Sequence, residues 1–410
     1  MKKLLFLVAL TLALFSCKDA KNLAVSPADY DFSEVFTYGT PFRLGIIGED
    51  YTRLQMHYAS VTKKDAEHYA VTGYSKVGDN VQLFEGTIEI KSIQKVVPEV
   101  DDGGEVYSDH VDNHDVYVLE CDYDFGQADG TFSGRSINEI YFKDGKVFTD
   151  DCYEEADGYD NNSHIGTFTP ANGPERPANW SVFRVPDSEE LDQGVGEFVP
   201  SEKFRDNGWA SYYNSIFNYN EDDWVMVANA RYEEARKWWD PEEPTITAQG
   251  PRNLMDSPLK TYEPDTYFIE ASTPKGVSTI IFPTTETPEY ADINFDGYKD
   301  LYQADDGGYC YLYDPELKEF VECPSYNDIQ FKGYLAVFPS EKVLMTSHSF
   351  LEKGEFWYYL YKFEDGKFVQ AGSVVEKNRV LYEYDKDGNL IHQGEYPSDL
   401  SRIWGLCFAG

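Results

Sequence analysis

Basic residues are scarce in this chain: 35 Lys and Arg stand against 73 Asp and Glu, leaving a formal charge of -38 over 410 residues. Such an excess of one sign disfavours nucleic acid and anionic membrane surfaces as partners of the folded part. Calcium, cationic proteins and neutral glycans remain open. Long apolar runs are scarce too, since only Leu4 to Phe15 stands out and no later stretch is long and apolar enough to cross a bilayer. Catalytic signatures are missing: there is no G-x-S-x-G, H-E-x-x-H, Walker loop or Rossmann fingerprint. The many acidic residues generate carboxylate pairs by chance, so a glycosidase-type pair is not legible without distances.

What is present begins at the N-terminus. Met1-Lys2-Lys3 precedes the apolar run, and Ser16-Cys17 ends it, the layout of a secretory signal peptide over residues 1–16. Leu14-Phe15-Ser16-Cys17 resembles the lipobox of bacterial lipoproteins, although Phe15 is bulkier than that motif usually carries. The resemblance implies that Cys17 becomes an acylated first residue, with 17–33 as a tether. Acyl chains would anchor the protein firmly, at about 0.8 kcal/mol per buried methylene. The expected location is the cell envelope, as an outer-membrane lipoprotein facing either the periplasm or the exterior.

Five other cysteines remain: Cys121, Cys152, Cys310, Cys323 and Cys407. Cys310 and Cys323 flank the turn Asp314-Pro315-Glu316-Leu317 and so face each other across a hairpin, either bridged or as free buried thiols. The same two states are open for Cys121 with Cys152.

The 32 Tyr and 26 Phe argue against disorder despite the charge, and they suit strands. Residues 34–172 read as an N-terminal antiparallel β domain, with hairpins around Gly78-Asp79 and Asp144-Gly145. Pro98 to Asp115 reads as a long loop. Gly173-Pro174-Glu175-Arg176-Pro177 reads as a boundary, and 173–259 as a linker and helical segment. Its helix runs from Asn220 toward Trp239: acids fill the first turn, Trp224, Val227, Ala228, Arg231, Tyr232, Ala235 and Trp238 form a stripe, and Pro241 is the stop. That stripe is expected to pack on its own domain.

Residues 260–410 return to β. Hairpins are expected for Cys310–Tyr313 with Glu319–Val321, for Phe356–Tyr361 with Phe368-Val369, and for Val380–Tyr384 with Leu390-Ile391; the first two look like a weak internal repeat. The fold class is therefore mainly β: two antiparallel β domains joined through a helical segment, the second a meander with blade-like hairpins.

Asp292-Ile293-Asn294-Phe295-Asp296-Gly297-Tyr298-Lys299-Asp300 is the most specific motif, reading D-x-N-x-D-G-x-x-D. Calcium takes six to eight oxygens, and side-chain oxygens recurring at every second residue can supply them from one tight loop. The candidate ligands are Asp292, Asn294, Asp296, the carbonyl of Tyr298, and Asp300. Gly297 lies at the sharp turn, and the twelfth position is Gln303, where an EF-hand has a bidentate Glu. The same residues also favour a metal-free hairpin turn. Weaker candidates are His110 with His114, four apart in an acidic loop, and Asp122-x-Asp124-x-Gly126-x-x-Asp129, with Gly126 where a ligand belongs.

Residues about 275 to 375, through this loop, Leu301-Tyr302 and the Tyr-rich hairpin, resemble the calcium-loop unit of FG-GAP-type repeat proteins. They are also similar to small exported bacterial β proteins that carry one such loop, some of which inhibit lysozyme. Gly73-Tyr74 and Gly130-Thr131-Phe132-Ser133-Gly134 are similar to β domains of Bacteroidetes-type lipoproteins. A single loop does not support a complete propeller. The expected function is that of a membrane-anchored, non-enzymatic binding protein with a structural calcium ion, whose partner is a protein, such as a cationic hydrolase of the lysozyme kind that the resemblance implies. A glycan-binding lipoprotein or a glycoside hydrolase is the alternative.

Overall fold

The computed structural model describes residues 24–38, 42–96, 115–150, 161–195, 198–216, 224–249, 266–283, 288–304, 308–332, 335–339 and 342–395. The chain forms two compact units, Met1–Trp209 and Ala210–Gly410. Both are mainly antiparallel β, as the alternation and turn spacing predict. Among the described residues no helix is long and apolar enough to cross a membrane.

In the first unit the strands β1 (Arg43–Ile47), β2 (Thr52–Lys63), β3 (His68–Val77), β4 (Asn80–Lys95), β5 (Val116–Gln127) and β6 (Gly130–Lys143) follow one another as a meander. A short strand, β7 (Lys146–Thr149), folds back on one end of β6, while β8 (Ser163–Pro170) pairs with the other end. The last strand, β9 (Arg176–Ser181), pairs with both β8 and β1. Eight strands thereby close into a ring, with β7 outside the cycle. Closure removes the unpaired edges that an open sheet presents. Register shifts at Tyr58/Ser60 and Ile90/Ser92 are bulges of the kind that bend strands around a barrel.

Alternation along the strands sends Tyr58, Tyr69, Phe84, Tyr123, Phe125, Phe132, Phe168 and Trp180 into one buried cluster. Two glycines make room for it. Gly134 and Gly166 face each other across β6 and β8, and a Cβ on either would lie 2.7 or 2.4 Å from Tyr123 Oη. The chain before β1 also belongs to this core, because Phe32, Val35 and Phe36, around α1 (Ser33–Thr37), are buried in it. The core of the first unit therefore takes in residues before 34. Gly173–Pro177 joins two paired strands inside the first unit, and residues up to Trp209 belong to that unit, so the composition shift at 173–177 is a turn rather than an edge.

The second unit opens with α2 (Ala210–Ser215) and α3 (Trp224–Ala235), the described part of the expected helix. The stripe does pack on its own unit: Ala228 and Tyr232 join Ile269, Phe282, Tyr290 and Leu301 in one core. Three antiparallel sheets follow in order. The first holds β10 (Thr245–Gln249), β11 (Thr266–Thr273) and β12 (Gly276–Pro283). The second holds β13 (Glu289–Ala291), β14 (Asp300–Tyr302), β15 (Cys310–Asp314) and β16 (Glu319–Glu322). The third holds β17 (Leu335–Phe338), β18 (Val343–Phe350), β19 (Glu355–Glu364), β20 (Lys367–Lys377), β21 (Val380–Asp385) and β22 (Leu390–Glu395). All three hairpins expected in this region are present. A core of Ile293, Tyr302, Cys310, Cys323, Tyr326, Leu344, Tyr361 and Phe368 joins the second sheet to the third.

Candidate metal centre

The D-x-N-x-D-G-x-x-D segment is the connection between β13 and β14, framed by strands and not by helices. Short side chains reaching back to the backbone fold it. Asp292 Oδ2 accepts the Gly297 N–H at 2.9 Å, Asn294 Oδ1 accepts the Asp296 N–H at 3.1 Å, and Asp296 Oδ1 accepts the Tyr298 N–H at 2.8 Å. Phe295 and Gly297 both adopt positive φ, 63° and 94°. For Gly297 this conformation is free, and for Phe295 it is a strained one that the neighbouring hydrogen bonds hold in place.

Asp300 behaves differently from the other ligand candidates. It is fully buried, and its two oxygens accept the N–H groups of Ile293 at 3.0 Å and Tyr313 at 2.9 Å. It therefore ties the start of the loop and strand β15 to β14. Each carboxylate oxygen retains a second lone pair. Asp292 Oδ1 is buried with no partner of hydrogen-bond geometry. Burial pushes the carboxyl groups of both Asp292 and Asp300 up, and the neighbouring negative charge of Asp296 adds to the shift. Among the described residues no three His, Cys, Asp or Glu side chains are gathered into a ready cage. Asp292, Asp296 and Asp300 are therefore not drawn together as they stand.

The donor set is all oxygen, as a hard cation requires, and an orphaned buried carboxylate oxygen is the group such an ion would satisfy. In the extended sequence Gln303 is buried, and its backbone carbonyl accepts the Tyr326 hydroxyl at 2.9 Å. Sequence reasoning missed Lys237, sixty residues upstream, whose Nζ donates to the Gly297 carbonyl. It also missed Tyr313, whose N–H holds Asp300. Neither carries a local signal, because both reach the loop only through tertiary packing.

The Asp122–Asp129 candidate does not assemble. Asp122 and Asp124 lie on the outer face of the extended strand β5, and Asp122 forms an ion pair with Lys91 at 3.2 Å. Cys17, Cys152, Cys407, His110 and His114 lie outside the described residues. Cys121, Cys310 and Cys323 are free, buried thiols. No family model, curated protein or solved structure matches this chain.

Proposed function

We propose that this protein is an exported, lipid-anchored, non-enzymatic binding protein, and that the loop Asp292–Asp300 holds a structural calcium ion. The observation that carries the metal reading is the buried, partnerless Asp292 Oδ1 inside a loop already curled by its own Asp and Asn side chains. A divalent cation there would neutralise Asp292, Asp296 and Asp300 together and invert the burial cost that now weighs on two of them. Asn294 Oδ1 and the Tyr298 carbonyl complete the set. The ion would act as a staple between β13 and β14, with no chemical step of its own.

Thermal unfolding with calcium, magnesium or chelator tests this reading. Binding to the native state alone stabilises by RT ln(1 + [L]/Kd), about 2.7 kcal/mol at a hundredfold excess over Kd. Calcium should raise Tm across millimolar concentrations and magnesium should substitute poorly, since it demands a tighter octahedron. Asp296→Ala should abolish the shift while leaving a folded protein. An unchanged wild-type Tm, or a full shift in Asp296→Ala, reduces the loop to an acidic turn.

Anchoring through Cys17 predicts that Cys17→Ser releases the protein from membranes. For the partner, the net charge favours a cationic protein, including a hydrolase of the lysozyme kind. A neutral glycan is the second reading, favoured by a half-buried aromatic ladder on the third sheet. Phe331 stacks on His348 at 4.2 Å, and Trp357 stacks on Tyr359 at 5.9 Å. Pull-down with the soluble residue 18–410 chain, against glycan arrays and a substrate panel, separates protein partner, glycan and enzyme.

A further inference from the structure

Cys310 and Cys323 lie directly opposite each other at the open end of the β15–β16 ladder. The ladder pairs Tyr311 with Glu322, so the next antiparallel pair is Cys310 with Cys323, and the Cys323 N–H donates to the Cys310 carbonyl at 2.8 Å. A hydrogen-bonded antiparallel pair places its Cα atoms about 5.5 Å apart, inside the range a disulfide spans, and closing the bond draws the Cβ atoms in to about 3.8 Å. The Cys323 thiol also lies 3.3 Å from Ser325 Oγ. The surroundings of the two cysteines differ. Both are buried in one core, but Cys323, at 6 % exposure, also lines a cleft of about 650 Å³ together with Tyr313, Ser325 and Lys367. Asp296, Asp314, Glu316, Glu322 and Asp365 also border that cleft.

We propose that Cys323 and Cys310 form a thiol–disulfide exchange site, Cys323 attacking and Cys310 resolving, selective for small cationic organic disulfides. The Cys323 thiolate attacks one sulfur of R–S–S–R; the S–S bond breaks, a mixed disulfide forms on Cys323, and R–S⁻ leaves, taking up the proton that Cys323 gave to solvent. Cys310 then loses its proton and attacks Cys323 Sγ, which closes the Cys310–Cys323 bond and expels the second R–S⁻, again protonated from solvent. The dithiol is oxidised by two electrons and the organic disulfide is reduced to two thiols.

Three features support this order. The thiolate is the nucleophile in such exchange, and the neighbouring Cys310 thiol holds the Cys323 thiol below the ordinary range, with Ser325 Oγ at 3.3 Å adding to it. Burial pushes the Cys310 thiol up, so it stays protonated until the mixed disulfide sits beside it. The carboxylates around the cleft attract cations and repel anions, an effect that salt screens. The cleft shares Asp296 with the calcium loop, so the reagents are compared in chelator.

The test uses the reduced mature protein treated with cystamine, a cationic disulfide, or with dithiodiglycolate, an anionic one. Peptide mapping by mass spectrometry should find the Cys310–Cys323 bond, and cystamine should react at least tenfold faster at low ionic strength, with the gap closing in salt. Cys310→Ser should stop at a cystamine adduct on Cys323, and Cys323→Ser should give no adduct on Cys310. The wild-type rate comparison stands even if a variant folds poorly. An adduct on Cys310 in Cys323→Ser, no reaction of the folded wild type where the unfolded chain reacts, or a faster anionic reagent would each overturn the proposal.

Discussion

The two units bury polar groups in different settings. In the barrel, Arg43, Tyr58, His164 and Trp180 sit deep among aromatics and bond to or stack on one another, while Arg43 Nε and Tyr123 Oη are buried there without a hydrogen-bond partner. Tyr58 Oη is 3.0 Å from His164 Nε2 and accepts the Trp180 indole N–H at 3.3 Å, and the Arg43 guanidinium stacks 4.3 Å over the Tyr58 ring while donating to the Phe36 carbonyl. In the second unit, Asp292 and Cys323 are also buried or half-buried, yet each belongs to a loop or strand end that borders open space. Closing a sheet into a ring seals its polar network and leaves it a structural role. Three open sheets end in connections whose polar groups stay within reach of a ligand.

The largest expected effect breaks the sealed side of this contrast. Trp180 is fully buried, and its removal empties the barrel's centre and deletes an N–H bond to Tyr58. Trp180→Ala should destabilise the first unit by about 3–5 kcal/mol, read from urea unfolding by circular dichroism. A calcium-dependent shift of the second unit, where seen in wild type, should survive it.

A second effect on the same network depends on pH. Burial lowers His164 to about 3, and the nearby Arg43 charge contributes. The unfolded chain takes up this proton near the ordinary histidine value of about 6.5, while the native state resists. Between those values the unfolded state binds more protons, so stability is complete above the upper value and falls as pH drops toward the lower one. The loss is on the order of 4 kcal/mol. Urea midpoints from pH 7 to pH 3.5 should fall accordingly, and His164→Gln should flatten that part of the profile.

On the second unit, Asp300→Ala strands two buried N–H groups, those of Ile293 and Tyr313. At about 1–3 kcal/mol per unsatisfied group, the cost should be roughly 2–6 kcal/mol without calcium, larger than that of Asp296→Ala, whose side chain is exposed. Chemical denaturation in chelator compares the two. Equal costs would mean that Asp300 has no tying role beyond its neighbours in the loop.

These residues also mark how far the sequence could be read. Local turn chemistry was legible: Asp144-Gly145 and Asp365-Gly366 do take positive φ between paired strands. The facing cysteines were legible as well, because the hairpin register follows from the turn. Ring closure was not, since it rests on β1 meeting β9 and β5 meeting β6, and Gly173–Pro177 looks the same as a turn or as a linker. Asp300 shows the corresponding limit for the site. Spacing places it at the ninth loop position, but whether its oxygens face an ion or backbone N–H groups depends on Tyr313, which another strand brings in.

The smallest expected effect compares two turns of one meander. Both β19–β20 and β20–β21 are joined by two residues at positive φ, Asp365-Gly366 at 50° and 78°, and Asn378-Arg379 at 54° and 62°. This turn matches the strand twist and favours Gly at its second position. Gly366 has it, whereas Arg379 carries the steric cost of a Cβ in left-handed backbone. A Cβ at Gly366 would meet nothing within 4 Å, so Gly366→Ala isolates that backbone cost, about 1 kcal/mol of lost stability. Arg379→Gly relieves the same strain and loosens the unfolded chain, for a net gain of about 0.5 kcal/mol. Differential scanning calorimetry should show Tm moving in opposite directions for the two variants. A fall in both would mean that the Arg379 side chain contributes more than its backbone strain costs.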